Sequence, residues 1–283
     1  MVFEPMQIGK RSFDFKRPYV VGILNVTPDS FYDGGKYFSV DLAVERGLKM
    51  VAEGADIIDV GGESTRPGSK FVSPEEEIRR VVPVIEKLSR QTDVPISIDT
   101  TKSIVAREAI SSGACMINDI SGLRFDPEIA QVAREFGVPL VIMHSRETPE
   151  KMQENVHYDN LQKEILEELE RSIKIAISYG VPKNSIIIDP GIGFAKTAKQ
   201  NLEIIWHLDF LSRLQRPILI GPSRKSFIAV ITGASAEERI GGTAAAVAIA
   251  ISKGANFVRV HDVFIMKQVM DVAFAMSNLM KNF

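Results

Sequence analysis

Eight short apolar runs in this sequence each stop at a polar side chain, and chemistry is expected at those endings. They read Asn25; 59–66 (DVGGESTR); Asp99-Thr100; Asn118-Asp119; His144; Asp189-Pro190-Gly191; Ser223-Arg224-Lys225; and Arg259-Val260-His261. A single polar residue at such a place commonly satisfies backbone groups or caps the next helix. A whole set asks for another reason. Asn25, Asp99, Asn118 and Asp189 are short, stiff amides and carboxylates, and together they suit a flat ligand rich in hydrogen-bonding groups. The last two endings carry the opposite charge. Ser223, Arg224 and Lys225 fall where a run passes to a predicted helix N-terminus, and Arg259 and His261 alternate, so both point to one side. That is an anion pocket; Arg259 interrupts an otherwise apolar run, which argues against an ordinary surface ion pair. Carboxylates could instead collect a divalent metal, yet the Cys and His spacings of a zinc site are missing from the sequence.

The elements that must position these groups follow from the period of the apolar residues. Strands are predicted at 19–25, 56–61, 96–99, 115–119, 140–144, 186–189, 218–221 and 257–261, each nearly continuous in apolar residues and each followed by a helical pattern. Eight βα units predict an α/β protein of the (β/α)8 TIM barrel class, in which the C-terminal strand ends converge on one mouth and the ends of the seventh and eighth strands commonly hold phosphate. A doubly wound open sheet is the rival, but no G-x-G-x-x-G follows the first strand, and Gly191-Ile192-Gly193 comes only after the sixth. Ser73-Pro74-Glu75-Glu76 reads as an N-cap, a first-turn proline and dipole-matched carboxylates; Gly54, Gly113, Gly137, Gly180 and Gly254 read as helix stops. Before the first strand, MQIGKRSFDF reads as a β-hairpin, expected to cap the barrel bottom. Residues 1–283 are expected to form a single domain, since no linker or low-complexity break divides them.

Bulk properties exclude several functions. Of 283 residues, 45% are apolar and 25% charged, enough for a sizeable core, and the net charge of −2 offers no basic field for nucleic acid or an anionic membrane. The longest apolar stretch, around residues 244–251, is far short of the roughly 20 residues of a membrane span. One cysteine, Cys115, and an N-terminus without a signal-type apolar region predict a cytoplasmic protein. Two loops, 27–35 and 63–69, are long for βα connections and carry Gly, Pro, charge and an aromatic, as lids over a substrate do.

Taken in order, NVTPDSFYDGG, DVGGESTRPG, SIDTTK, INDISG, IIIDPGIGFAKT, LIGPSRKSFI and VRVHDV resemble the dihydropteroate synthase family of pterin-binding enzymes, nearly end to end. That family condenses 6-hydroxymethyl-7,8-dihydropterin pyrophosphate with p-aminobenzoate to give 7,8-dihydropteroate and pyrophosphate in folate biosynthesis. The resemblance implies that Asp99, Asn118, Asp189 and Lys225 hold the pterin, that Arg259 and His261 contact the pyrophosphate, and that Asn25 helps bind Mg2+. It implies that Asp99, Lys225, Arg259 and His261 carry the catalysis. Phe31, Asp33, Thr65, Arg66, Pro67, Phe194 and Ser223 would serve p-aminobenzoate and the closing loops.

The expected mechanism is loss of pyrophosphate to leave a stabilised pterin methylene cation, captured by the aniline nitrogen, with no nucleophilic side chain. His144 is expected to be structural, His157 and His207 to have no role, and Cys115 to pack in the core; Arg259→Ala is expected to damage turnover with little effect on folding. The chain departs from the family pattern at Tyr32, at Ser145 and Glu147, and at Ala195. A homodimer is expected from the family and from the apolar C-terminal helix with Met266, Val269, Met270, Val272 and Phe274. Two rivals share the pterin pocket: a methyltransferase domain of the same barrel type, which would not need the anion site, and a catalytically silent binding module.

Overall fold

A computed structural model describes residues 3–27, 32–33, 37–38, 40–64, 68–69, 71–147 and 156–280. All eight predicted strands are present: β3 (Tyr19–Asn25), β6 (Ile57–Gly61), β7 (Ile96–Asp99), β8 (Met116–Asp119), β9 (Leu140–Met143), β10 (Ile186–Asp189), β11 (Leu219–Ile220) and β12 (Phe257–Val260). They pair in parallel in the order β10-β9-β8-β7-β6-β3-β12-β11, and a parallel bridge between Ile188 and Ile218 joins the two ends into a closed barrel. Helices α1 (Val40–Ala52), α2 (Pro74–Ser89), α3 (Ser103–Ser111), α4 (Glu128–Phe136), α5 (Leu161–Ser178), α6 (Ala198–Trp206), α7 (Ser226–Thr232), α8 (Ile240–Ser252) and α9 (Val263–Met280) follow the strands.

Strand parity sorts the apolar residues into two cores. Val20, Leu24, Ile58, Val60, Ile98, Ile117, Ile142, Ile188, Ile220 and Val258 point outward and pack against the helices. The alternate residues Tyr19, Val21, Ile57, Met116, Val141, Ile187, Leu219 and Phe257 point inward and form a separate cluster at the barrel bottom. That cluster is completed by Met6, Ile8 and Phe13 from the hairpin of β1 (Met6–Ile8) and β2 (Arg11–Phe13), so the hairpin seals the barrel from below as the sequence predicts. Its turn has Gly9 at φ 56 in the first central position, where a side chain would be strained. The seal is aromatic: Phe257 lies 5.5 Å from Tyr19, 5.9 Å from Phe15 and 6.0 Å from Phe13, centroid to centroid.

The helix punctuation is also present. Ser73 caps α2, its side chain accepting from the Glu76 N–H, with proline in the first turn. Gly137 ends α4 in the left-handed region at φ 66, and Gly54, Gly113, Gly180 and Gly254 likewise have positive φ. No helix among the described residues is long and apolar enough to cross a membrane.

Phe257→Ala removes a fully buried ring from the seal. The expected loss is about 3–5 kcal/mol of unfolding free energy by denaturant titration. A change below about 1 kcal/mol would mean that the bottom cluster does not hold the barrel closed.

Candidate active site

The parity that makes the bottom apolar makes the mouth polar. Moving up the same inward faces, Ile57 gives way to Asp59, Ser97 to Asp99, Met116 to Asn118, Ile187 to Asp189, and Phe257 to Arg259 and then His261. The register places Asp59 beside Ser97 and Asp99 beside Asn118 on neighbouring strands. Asn118 and Asp119 thereby part company. Asn118 enters the mouth, whereas the Asp119 carboxylate accepts from the Ser121 and Leu123 N–H groups and fixes the turn after β8.

Arg259 is the hub of the mouth. Its Nε donates to Asp59 Oδ2 at 2.6 Å and its Nη2 to Asp99 Oδ2 at 2.6 Å, while Asn118 Nδ2 donates to Asp59 Oδ2 at 3.0 Å. Burial pushes the Asp99 carboxyl up, to about 7; Arg259 pulls it down and Asp59 pushes it up. The two carboxylates push the Arg259 guanidinium further above its ordinary value, against the effect of burial. The sequence reading divides a pterin side from an anion side and puts Arg259 with the anions. In the structure it is also tied to the carboxylates, because a guanidinium inside a closed barrel takes the acceptors within reach. Removing Arg259 altogether would leave two buried carboxylates facing each other, so the expectation that Arg259→Ala barely affects folding does not survive this geometry.

Asp189 ends β10, and one of its oxygens accepts from the Gly191 N–H at 2.7 Å; burial raises its carboxyl to about 6. The chain then turns back sharply, with Gly191 at φ 70, Gly193 at φ 83 and Ala195 at φ 50. A Cβ on Gly191 would stand 2.0 Å from the His144 carbonyl oxygen, so only glycine allows this turn against the end of β9. Ala195, where the family commonly has glycine, holds a left-handed conformation that costs an ordinary residue roughly 1–2 kcal/mol. The turn presents Phe194 to the mouth, where its ring stands 4.2 Å from Lys225 Nζ and packs with Ile120 and Met143 as a small apolar patch. Lys225 is half-buried, and desolvation, with Arg259 nearby, lowers it to about 8. Carboxylates, an amide and cations therefore surround a compact apolar surface, the combination that a flat, polar-edged heterocycle needs.

At the end of β12, His261 Nδ1 and Ser223 Oγ lie 3.0 Å apart, and the His261 N–H donates to the same hydroxyl. Burial lowers His261 to about 3, helped by Arg259 and Arg224, so its ring is neutral before any anion arrives. Arg224 is turned away from the mouth: its guanidinium makes a two-point pair with Asp262, at 2.9 and 2.6 Å. The predicted Ser-Arg-Lys anion site thus keeps Ser223 and Lys225 and loses Arg224. Asn25 stands half-buried at the end of β3. Asp33 lies in a two-residue antiparallel ladder, β4 (Tyr32–Asp33) with β5 (Tyr37–Phe38), inside the first loop. Phe31, Thr65, Arg66 and Pro67 lie outside the described residues.

Asp59, Ile120 and Met143 belong to this site but receive no role from the sequence alone. Asp59 had a usable signal, a carboxylate at an inward position of an apolar strand opposite Arg259. A further group braces the second loop: Lys102 pairs with Glu63 at the loop's stem and with the buried Glu77 of α2, 2.6 Å away. His144 is structural, as expected, with its neighbours described below.

Residues 21–261 match the family described as pterin binding enzyme. The dihydropteroate synthase of a Synechocystis species is 48% identical over 274 residues, which cover 96% of this chain and 95% of that one. Among solved structures, Xanthomonas albilineans dihydropteroate synthase with 4-aminobenzoic acid superposes with a TM-score of 0.90 at 42% identity, covering 96% of this chain and 97% of the other. The same enzyme in complex with 7,8-dihydropteroate gives 0.86 at 40% identity, covering 96% and 98%. With the barrel, the polar mouth and these likenesses together, the chain belongs to the pterin-binding enzyme family, among its dihydropteroate synthases.

Proposed function

We propose that this chain joins 6-hydroxymethyl-7,8-dihydropterin pyrophosphate to p-aminobenzoate, giving 7,8-dihydropteroate and pyrophosphate. The observation that carries the reading is the mouth floor, where the Arg259 fork ties Asp99 to Asp59 beside Asn118 and the patch of Ile120, Met143 and Phe194. Asp189 accepts hydrogen bonds from the amino-pyrimidine edge, and Asn118 and Lys225 complete the pterin's polar contacts. The carbon–oxygen bond to pyrophosphate breaks and its electron pair leaves with the pyrophosphate. Positive charge then develops on the pterin, where the Asp99 carboxylate offsets it. Lys225, Arg259 and His261 bind the departing anion, and the aniline nitrogen of p-aminobenzoate forms the new bond and releases a proton. Ser223, Phe194 and the two loops, with Phe31, Asp33, Thr65, Arg66 and Pro67, serve the p-aminobenzoate side. The anion site disfavours the methyltransferase reading, and a silent binding module would have no use for cations placed to receive a departing anion.

Mg2+ is the cofactor of this reading, and Asn25 would hold it. A neutral amide oxygen at the inner end of β3 suits a hard cation. Among the described residues no three His, Cys, Asp or Glu side chains are grouped to hold a metal, in keeping with an ion held chiefly by substrate oxygens and water. When bound, it would neutralise pyrophosphate charge. A cytoplasmic location fits the single cysteine, Cys115, whose half-buried thiol is pushed up by burial and hence poorly reactive. A homodimer is the remaining part of the proposal: the outer face of α8 and α9 leaves Val272, Met276, Leu279 and Phe264 exposed beside a groove of about 820 Å3, and a second copy of this chain would cover them.

Pyrophosphate release by the purified protein should require the pterin substrate, p-aminobenzoate and Mg2+ together; release without p-aminobenzoate, or none at all, overturns the reading. Arg259→Lys keeps one charge but loses the fork, and should cut kcat/KM on the order of 100-fold with a cooperative thermal transition retained. Since Asp99 is raised, it is protonated below about 7 and gains its charge as pH rises, so kcat/KM for the pterin substrate should climb through that region. Arg259→Gln removes a pull that lowers Asp99, and should move this acid limb to higher pH; an unmoved limb assigns it to another group. Met276→Asp with Val272→Asp should convert a dimer to a monomer by light scattering, and an unchanged mass would exclude this face as the interface.

A further inference from the structure

Lys196 is a charged side chain with almost no access to solvent, at 2% exposure, and among the described residues its ammonium is held by carbonyls and an imidazole and not by a carboxylate. Its Nζ donates to the carbonyl of Phe194 at 2.9 Å and to the carbonyl of Gly191 at 3.1 Å, and meets His144 Nδ1 at 2.9 Å. Three acceptors match the three N–H bonds of an ammonium group, which opposes the burial that lowers this lysine to about 7. Both carbonyls belong to the turn that carries Phe194 and follows Asp189 directly. Gly191 and Phe194 are also joined to each other, the Phe194 N–H donating to the Gly191 carbonyl at 3.1 Å. The ammonium therefore closes the turn from behind, as a bound cation would.

The contacts continue past His144 and return to the same turn. His144 Nε2 stands 3.0 Å from Glu168 Oε2, and Glu168 Oε1 accepts from Arg146 at 2.8 and 3.0 Å. Arg146 lies over the Tyr158 ring at 3.8 Å, and the Tyr158 hydroxyl donates to the Ala195 carbonyl at 3.0 Å. Arg146 also donates to the His157 carbonyl at 2.6 Å, and Gln200 to that of Val156 at 3.1 Å. Five side chains, those of Lys196, His144, Glu168, Arg146 and Tyr158, thus run in a circuit from the Phe194 carbonyl to the Ala195 carbonyl, with His144 Nε2 facing Glu168 at ion-pair distance without a hydrogen bond, the turn on one side and the two stems of the segment after β9 on the other. His144 must be neutral to accept from Lys196, and burial lowers it to about 4, with Lys196 acting in the same direction.

We propose that Lys196 is a positioning residue for pterin binding: through its bonds to Gly191, Phe194 and His144 it holds the turn between Asp189 and Phe194 in the shape that receives the heterocycle. The proposal rests on the reading of this mouth as a pterin site. Lys196 acts first on the pterin side, through the turn that follows Asp189; Phe194 is the member shared with the p-aminobenzoate side, whereas Ser223 and His261 are hydrogen-bonded to each other.

The test measures binding of 6-hydroxymethylpterin by calorimetry, along with the KM of both substrates. Wild-type protein should bind the pterin; if it does not, the reading of the site fails, whatever Lys196 does. Lys196→Met keeps the length and removes the ammonium, and should weaken pterin binding at least 10-fold, a larger factor than the change in KM for p-aminobenzoate. His144→Leu should weaken pterin binding in the same way, whereas His144→Asn, which returns an acceptor near the position of Nδ1, should recover most of it. Wild-type binding with unchanged affinity in Lys196→Met overturns the proposal. If Lys196→Met has no cooperative unfolding transition, the His144 pair decides: equal pterin affinities of His144→Leu and His144→Asn overturn it too.

Discussion

The mouth of this barrel depends on one shared cation. Arg259 enters an enclosed space that already holds Asp59 and Asp99, and two carboxylates that close cannot both stay ionised in a medium of low polarity without a counter-charge. Its planar fork supplies two directed N–H bonds at once, one to each carboxylate, which a lysine ammonium on a flexible stem would not hold in the same geometry. Asn118 then donates to the shared Asp59 oxygen, fixing β6, β8 and β12 relative to each other at the mouth. The arrangement is electrostatically incomplete. Asp59 Oδ1 is buried without a partner among the described residues, and His261 is held neutral beside Arg259.

Most of the architecture was legible because it rests on period. Runs such as IIIDP and FVRVH announce strands buried on both faces, and the alternation within each run already says which residues share the interior. Asp99, Asn118, Asp189, Arg259 and His261 could therefore be placed in one mouth before any coordinates. What period does not encode is partnership across the barrel. Asp59 and Arg259 are separated by 200 residues, and nothing in either local pattern says that the guanidinium will turn to a carboxylate rather than to a phosphate. Arg224 failed for a related reason: it sits in an anion-binding motif, but Asp262 lies one step beyond His261 on the adjoining connection and accepts from two of its nitrogens.

Lys196 was the least legible of all. A lysine after a glycine-rich turn ordinarily reads as solvent-exposed, and the reversal at Gly191, Gly193 and Ala195 that buries it has no period to detect. Burial without a carboxylate partner is costly for an ammonium unless several dipoles converge on it, and here carbonyls and an imidazole do so. The same reasoning separates the histidines. His144 is a neutral acceptor inside a circuit, whereas His261 shares a serine hydroxyl beside the mouth, a difference that the family resemblance anticipates and that position at a strand end alone does not.

Strand parity links the two ends of the barrel in one further way. Most inward faces begin with an apolar residue at the bottom and finish with a polar one at the mouth, so the same pleat that seals Phe257 under the hairpin aims Arg259 at the carboxylates two residues later. A one-residue shift of β12 against β3, where Phe257 pairs with Tyr19 and Arg259 with Val21, would carry Arg259 to the helix side and leave Asp59 and Asp99 unpaired. The apolar bottom cluster therefore acts on the chemistry at the far end without touching it: by fixing the register of the strands, it decides which side chains the mouth contains.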